Sequence, residues 1–444
     1  MKRSAWVFLV GVAACGDDGV TKLPDAPVPP DVPIDAATCP PVTGAGTMHG
    51  GSITAAETWT AAGNPHIVPF DTTITGALTI ESCAVVRIGT GKTISVRVGG
   101  SITTTGQAGL PVKIEKLDAT PWVSIRTLNG GTVSFTHTTI DGGGDPLNGI
   151  AEISGALDIA GTSPVVTGVL HADNLTITGS RSCGINLHDG GGFDASSTNV
   201  VISGSMVSPI TSFARALGTI PSGTYTGNTA DEIIVYNGAV VEDVTIHPRG
   251  IPYRVGIQAG ATLDVANVVG LATLTIEPGV TMKFFPGATF RIDPASGTNP
   301  ARGALIAVGT AAAPIVFTSA ASTQAAGDWF GVWFGALVNS ATRLDHVRVE
   351  FAGKTPSASG SDSCLYPGTT INDAAIRIVG AAPATVFVTN TTILSSASHG
   401  FDRGFRSDTK PSYLPTNTIT GFVGCRETYP RDVSGACPTT VPCP

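Results

Sequence analysis

Past residue 50 the chain consists of short runs in which apolar and polar residues alternate, each broken within a few positions by Gly, Asn, Asp or Pro. Ile94, Val96 and Val98 alternate with Ser95 and Arg97, and Val347, Val349 and Phe351 alternate with Arg348 and Glu350. A period of two describes a half-buried strand. No long amphipathic segment at helical spacing occurs beyond the first 14 residues, so the sequence predicts an all-β body.

The runs also recur at fixed distances. Leu175 to Ser180 (LTITGS) returns as Val200 to Ser205 (VVISGS), a shift of 25 residues that suits one coil of a solenoid. A single coil cannot close its own hydrophobic face, whereas stacked coils bury a continuous interior and pair each strand with those above and below. A longer repeat matches Leu78-Thr79-Ile80-Glu81 with Leu274-Thr275-Ile276-Glu277 at an offset of 196, and Arg87 with Lys283 and Thr93 with Thr289 at the same offset. Gly100, Gly106 and Pro111 then match Gly303, Gly309 and Pro314 at 203, Trp122 matches Trp329 at 207, and His137 matches His346 at 209. Residues 66–145 and 262–353 therefore read as copies of one multi-coil unit. With 25 residues per coil, the body at 42–424 should form roughly 15 coils and a rod of ~70–75 Å.

The composition agrees. Only 13% of residues are charged, and 25 basic against 33 acidic residues leave a net charge of −8, which excludes a basic nucleic-acid binder. Aromatic residues are 6% of the chain, so the core must be built mainly from Val, Ile, Leu and Ala.

Lys2 and Arg3 precede a short apolar run from Trp6 to Ala14, the layout of a secretory signal at 1–14. Val12-Ala13-Ala14-Cys15 resembles the bacterial lipobox, which implies that Cys15 is the lipidated first residue of the mature chain. Residues 15–41 are rich in Asp and Pro and read as an extended tether. Eight cysteines in an exported chain are read as covalent constraints. Cys183 stands alone in mid-chain as a candidate buried thiol, and the Cys- and Pro-rich tail at 425–444 looks like a cap. The expected bridges are Cys39 with Cys83 at the entry, Cys364 with Cys425 at the last coil, and Cys437 with Cys443 in the tail.

The run Leu274-Thr275-Ile276-Glu277-Pro278-Gly279-Val280, then Val308-Gly309-Thr310 with Pro314 to Ser319 and Gly327 to Val332, resembles the right-handed parallel β-helix proteins of the pectin-lyase-like superfamily, in particular their bacterial surface lipoproteins. Ser398-His399-Gly400-Phe401 is similar to a late coil of that group, and the acidic, Pro-rich tether is similar to that of exported lipoproteins of myxobacteria and relatives. The resemblance implies a right-handed parallel β-helix anchored to a bacterial membrane, at the outer membrane or cell surface. It speaks weakly for function, because the superfamily includes lyases, hydrolases, adhesins and inert scaffolds. The expectation is a non-enzymatic scaffold for adhesion, meeting a polysaccharide or another cell-surface protein and no nucleic acid. A polysaccharide lyase or hydrolase is the alternative.

Four features are candidate sites. Asp141-Gly142-Gly143-Gly144-Asp145 and His188-Asp189-Gly190-Gly191-Gly192-Phe193-Asp194 offer oxygen ligands on flexible backbone, as calcium requires; ordinary glycine turns with solvated acids account for the same residues. The 48 residues between the loops suggest two coils, about 10 Å, on one side of the rod. The superfamily's lyases use calcium-bound carboxylates and a basic residue, for which the sequence offers Asp173, Asp189 and Asp194 with Arg181, with no motif that fixes them together. Trp329 and Trp333 are candidates for stacking on sugar rings, although the match of Trp329 to Trp122 argues for packing. His137 and His346, equivalent in the repeat, read as structural strand histidines rather than a metal pair.

Overall fold

The computed structural model describes residues 37–146, 149–162, 166–236, 238–294, 302–335, 337–355, 361–368 and 370–444. Cys15, the signal at 1–14 and the tether up to residue 36 lie outside the described residues. From Thr47 onward the chain winds as a three-sided parallel β-helix, each coil contributing to three faces. The third face is a 14-stranded sheet running from Ser52–Ile53 to Thr418–Phe422 with every pair parallel. The first and second faces join in one 12-stranded sheet in the N-terminal half, because Thr132–Asp141 and Thr167–Thr178 run round the corner without a break. Thr132 pairs with Ser101 on the first face while Thr138 pairs with Val112 on the second. Further on, the two faces are separate sheets of six and five strands.

The alternation seen in the sequence builds the core. On the third face Ile94, Ile125, Leu157, Ile185, Ile210 and Ile233 stack in register, each directly over the last. The same inward ladder continues through Tyr253, Met282, Phe317 and Val349 to Ile393 and Ile419. All of them are buried. Each removes apolar area from water at ~25 cal/mol per Å², and every coil closes the open face of its neighbour.

Coil length is uneven. Ile234 pairs with Arg254, 20 residues on, whereas Arg348 pairs with Thr392, 44 residues on. The long coils reduce the number that fit: 14 stacked strands at ~4.8 Å make a rod of roughly 60 Å, shorter than a uniform 25-residue repeat predicts.

The two repeat copies are related by a step the sequence does not reveal. Ala77–Glu81 lies on the first face and its match Ala272–Ile276 on the second; Val112–Lys116 lies on the second and Ile315–Ser319 on the third. Ser124–Thr127 on the third face corresponds to Gly331–Phe334 on the first. The second copy is thus advanced by one face. The equivalence also extends past residue 145: Ser180 Oγ donates to Cys183 O at 2.6 Å and Ser182 Oγ to Gly144 O at 2.6 Å, while Ser396 Oγ donates to His399 O at 2.7 Å and Ser398 Oγ to Gly353 O at 2.9 Å.

Three disulfides close the ends: Cys39–Cys83, Cys364–Cys437 and Cys425–Cys443. The last two exchange the partners expected from spacing, which paired Cys364 with Cys425 and Cys437 with Cys443. The reason is the course of the tail. Tyr429–Pro430 runs antiparallel to Ser363–Cys364, a turn closed by Ala436 N on Asp432 Oδ1 at 2.8 Å reverses the chain, and Cys437 returns over Cys364. Beyond it Pro438 and Pro442 keep the tail extended, so Cys443 reaches Cys425 rather than folding back on Cys437. Cys183 is buried and unbridged.

Candidate functional site

The third face carries a polar cleft of about 210 Å³. Its floor comes from outward positions of three neighbouring strands, Ser124–Thr127, Gly155–Ala160 and Cys183–His188, in which Arg126, Asp158 and Asn186 lie in register. Asn186 Nδ2 donates to Asp158 Oδ1 at 2.7 Å and to Ile153 O at 3.0 Å. The second of these bonds holds the 3-10 turn Ala151–Ile153 over the sheet as a lip. His188 lies between two carboxylates, with Nε2 3.2 Å from Asp158 Oδ1 and Nδ1 2.9 Å from Asp189 Oδ2. Burial lowers the pKa of His188, but the two carboxylates outweigh burial and raise it above the ordinary imidazole value.

Phe213 and Tyr236, paired in register on the next two strands, close one end of the cleft with their rings 5.3 Å apart, edge to face. Ser124 is 2% exposed, and its Oγ has no hydrogen-bond partner among the described residues. Asp145 stands on the rim, paired with Arg181 at 3.2 Å. A second depression, about 230 Å³, shares His188, Asp189 and Phe213 with the first and adds Arg215 and Gly238.

The equivalent place in the second copy is a smaller depression, about 110 Å³, partly filled by a buried network. Arg377 and Asp402 pair in register there, where Asp158 and Asn186 pair in the first copy. Asp402 is fully buried, accepting from Ser361 Oγ at 2.9 Å and Ser363 Oγ at 2.7 Å. Those serines belong to the loop that the Cys364–Cys437 bridge holds down. Burial raises the Asp402 pKa against the nearby Arg377, as a filled structural network would. One duplicated position is therefore narrowed and its twin is wider.

The residues singled out in the sequence are dispersed by the fold. Asp141 ends a second-face strand, with Lys116 Nζ at 3.6 Å and Thr178 Oγ1 at 3.3 Å. Asp189 follows a third-face strand one coil later, so the two glycine loops do not stack two coils apart on one side as their 48-residue spacing suggested. Of the acids in the two loops, Asp145 and Asp189 line one cleft, together with His188. Asp194 accepts from Ser196 N at 2.9 Å and lies 3.5 Å from His171 Nδ1; the Ser196 hydrogen bonds hold its carboxyl below the usual range. Among the described residues no three His, Cys, Asp or Glu side chains form a metal-ligand group. Asp173, bonded by Asn174 Nδ2 at 2.9 Å, sits at the first corner and Arg181 at the second, so the lyase set does not converge with Asp189 and Asp194.

The tryptophans divide. Trp329 is buried, donates from Nε1 to Glu350 O at 2.8 Å and stacks on Phe284 with centroids 4.1 Å apart, which removes it as a glycan contact and makes it core. Trp333 is half-buried on the first face, in register between Arg291 and Arg377, beside a depression of about 110 Å³. His137 and His346 both turn corners, with φ of 43° and 50°. Asp158, Phe213 and Tyr236 carry no motif in the sequence, and His188 stands there only as the first residue of a glycine loop. The available signal was a polar residue at the outward position of an alternating run, as in Leu157-Asp158-Ile159 and Asn186-Leu187-His188.

Compared with known proteins, the chain matches no family model, no curated protein and no solved structure.

Proposed function

We propose that the protein is an exported surface lipoprotein, anchored through Cys15 and related in kind to the pectin-lyase-like β-helices, whose rigid flank contacts carbohydrate. Three disulfides support folding in an oxidising compartment. The observation that carries the glycan reading is the Phe213–Tyr236 pair at the end of a cleft with polar side chains, since half-buried aromatic rings beside hydrogen-bonding groups offer a sugar both apolar and polar contacts. The test is a glycan screen on the purified chain and its Tyr236→Ala variant: retention that Tyr236→Ala abolishes supports the reading, and retention that ignores the substitution counts against this cleft. Cys15→Ser should move the protein from the membrane fraction to the soluble one.

A second reading, polysaccharide cleavage, is favoured by one observation. His188 between Asp158 and Asp189 has the partners of a proton-transferring group. Incubation with polysaccharides and measurement of new reducing ends or unsaturated product decides between binding and turnover.

A further inference from the structure

We infer that the cleft on the third face selects sugars bearing a free ammonium group, an amino-sugar polymer, and excludes uronates. This rests on the glycan reading above and adds the class of ligand.

Three carboxylates line the cleft, Asp145, Asp158 and Asp189. The cationic groups that answer them are already engaged: Arg181 on Asp145, and His188 between the other two. Arg126, next to Asp158 in register, directs its Nε to Ser95 Oγ at 3.0 Å. No lysine or arginine lines the cleft among the described residues. A carboxylate-bearing sugar would meet three carboxylates answered by only two basic groups here, whereas an ammonium group finds Asp189 71% exposed at the rim. The two carboxylates that flank His188 favour positive charge on a ligand as they do on the imidazole.

A second observation points to a ligand. Ser124 Oγ, on the cleft floor and more than nine-tenths buried, lacks a hydrogen-bond partner, a state that costs free energy unless something polar enters the cleft. The Phe213–Tyr236 pair offers the apolar side of such a ligand its contact. At about 210 Å³ the cleft is below the ~300–1,000 Å³ of drug-sized pockets, so it takes a short stretch of a polymer laid along the rod.

The experiment titrates the full chain by calorimetry, in low salt just below neutral pH, with hexamers of glucosamine, N-acetylglucosamine and galacturonic acid. The inference expects the glucosamine hexamer to bind about fivefold or more tightly than its acetylated counterpart, with no detectable binding of the galacturonate. Asp189→Asn, which keeps the shape and tolerates the left-handed backbone at φ 47°, should weaken glucosamine binding by about two- to fivefold and leave N-acetylglucosamine unchanged. If the acetylated or acidic hexamer binds as well as glucosamine, and Tyr236→Ala weakens all alike, the charge selection is overturned while the glycan reading stands. If none of the three binds, the charge selection falls; if the broader screen also finds no retained glycan, the glycan reading falls with it.

Discussion

Gly106 lies directly under the carbonyl oxygen of His137 on the next coil, where a Cβ would collide with it, and Gly309 stands in the same relation to His346, with a Cβ 2.6 Å from the carbonyl oxygen. The glycine and the histidine of the repeat are thus two halves of one packed corner. The histidine takes a left-handed backbone conformation to turn the strand, and the glycine of the coil before leaves room for its carbonyl.

Gly106→Ala should therefore destabilise the protein by about 1–3 kcal/mol, since the obstacle is backbone rather than a movable side chain. His137→Asn should be nearly neutral, and His137→Val should cost about 1–2 kcal/mol because a β-branched residue resists positive φ. Urea unfolding midpoints of the three variants check this; equal loss from Asn and Val would show that the ring rather than the backbone matters at this corner.

Trp329→Ala should cost about 3–5 kcal/mol through the cavity left against Phe284, with no specific effect on glycan retention. Trp333→Ala, half-buried, should cost less. Thermal unfolding ranks the two, and a larger loss from Trp333 contradicts the core assignment.

Non-reducing peptide maps should return Cys39–Cys83, Cys364–Cys437 and Cys425–Cys443 with Cys183 reduced. Replacing Cys364 and Cys437 by Ser should cost about 2–4 kcal/mol and raise hydrogen exchange around buried Asp402 and Arg403 before the rest of the rod. A Cys364–Cys425 peptide in the map would contradict the course of the tail.

Two histidines should titrate in opposite directions. The His188 pKa is raised, so its contribution to stability is complete below the unfolded value of about 6.5 and disappears as pH climbs through the folded value. His399 is buried and accepts from Cys425 N at 2.7 Å; burial lowers its pKa, so its contribution is present above about 6.5 and is lost as pH falls through the folded value. Ring-proton NMR titration of the wild type, with His188→Gln and His399→Asn for assignment, measures both; a His399 midpoint above that of His188 would refute the ordering.

Much of the architecture is written locally. Whether a side chain such as Ile94 or Ile125 faces inward follows from alternation along its own strand, and a solenoid follows once alternation recurs along the chain. The match of Trp122 to Trp329 in the repeat argues for packing over the sugar contact also open to Trp329, and the isolation of Cys183 in mid-chain argues for a buried thiol. Lateral placement is different, because which strand lies over which depends on turn lengths summed over every preceding coil, and coils among the described residues run from 19 residues, Thr47 to His66, to 44, Arg348 to Thr392. A repeat offset of 196 to 209 residues therefore need not be a whole number of coils, and the fold advances the second copy by one face. For the same reason the glycine loops of Asp141 and Asp189 part, Asp158 and His188 meet across two strands, and the tail carries Cys437 to Cys364. The sequence by itself determined that the chain is a stacked β-coil and, within its regular strands, most of the side chains that face inward, though not where a strand ends: Val98 continues the alternation of Ile94 and Val96 yet is 68% exposed beyond the strand; only the tertiary structure decided which outward residues share a cleft, since those contacts run between coils and are set by the accumulated length of the turns.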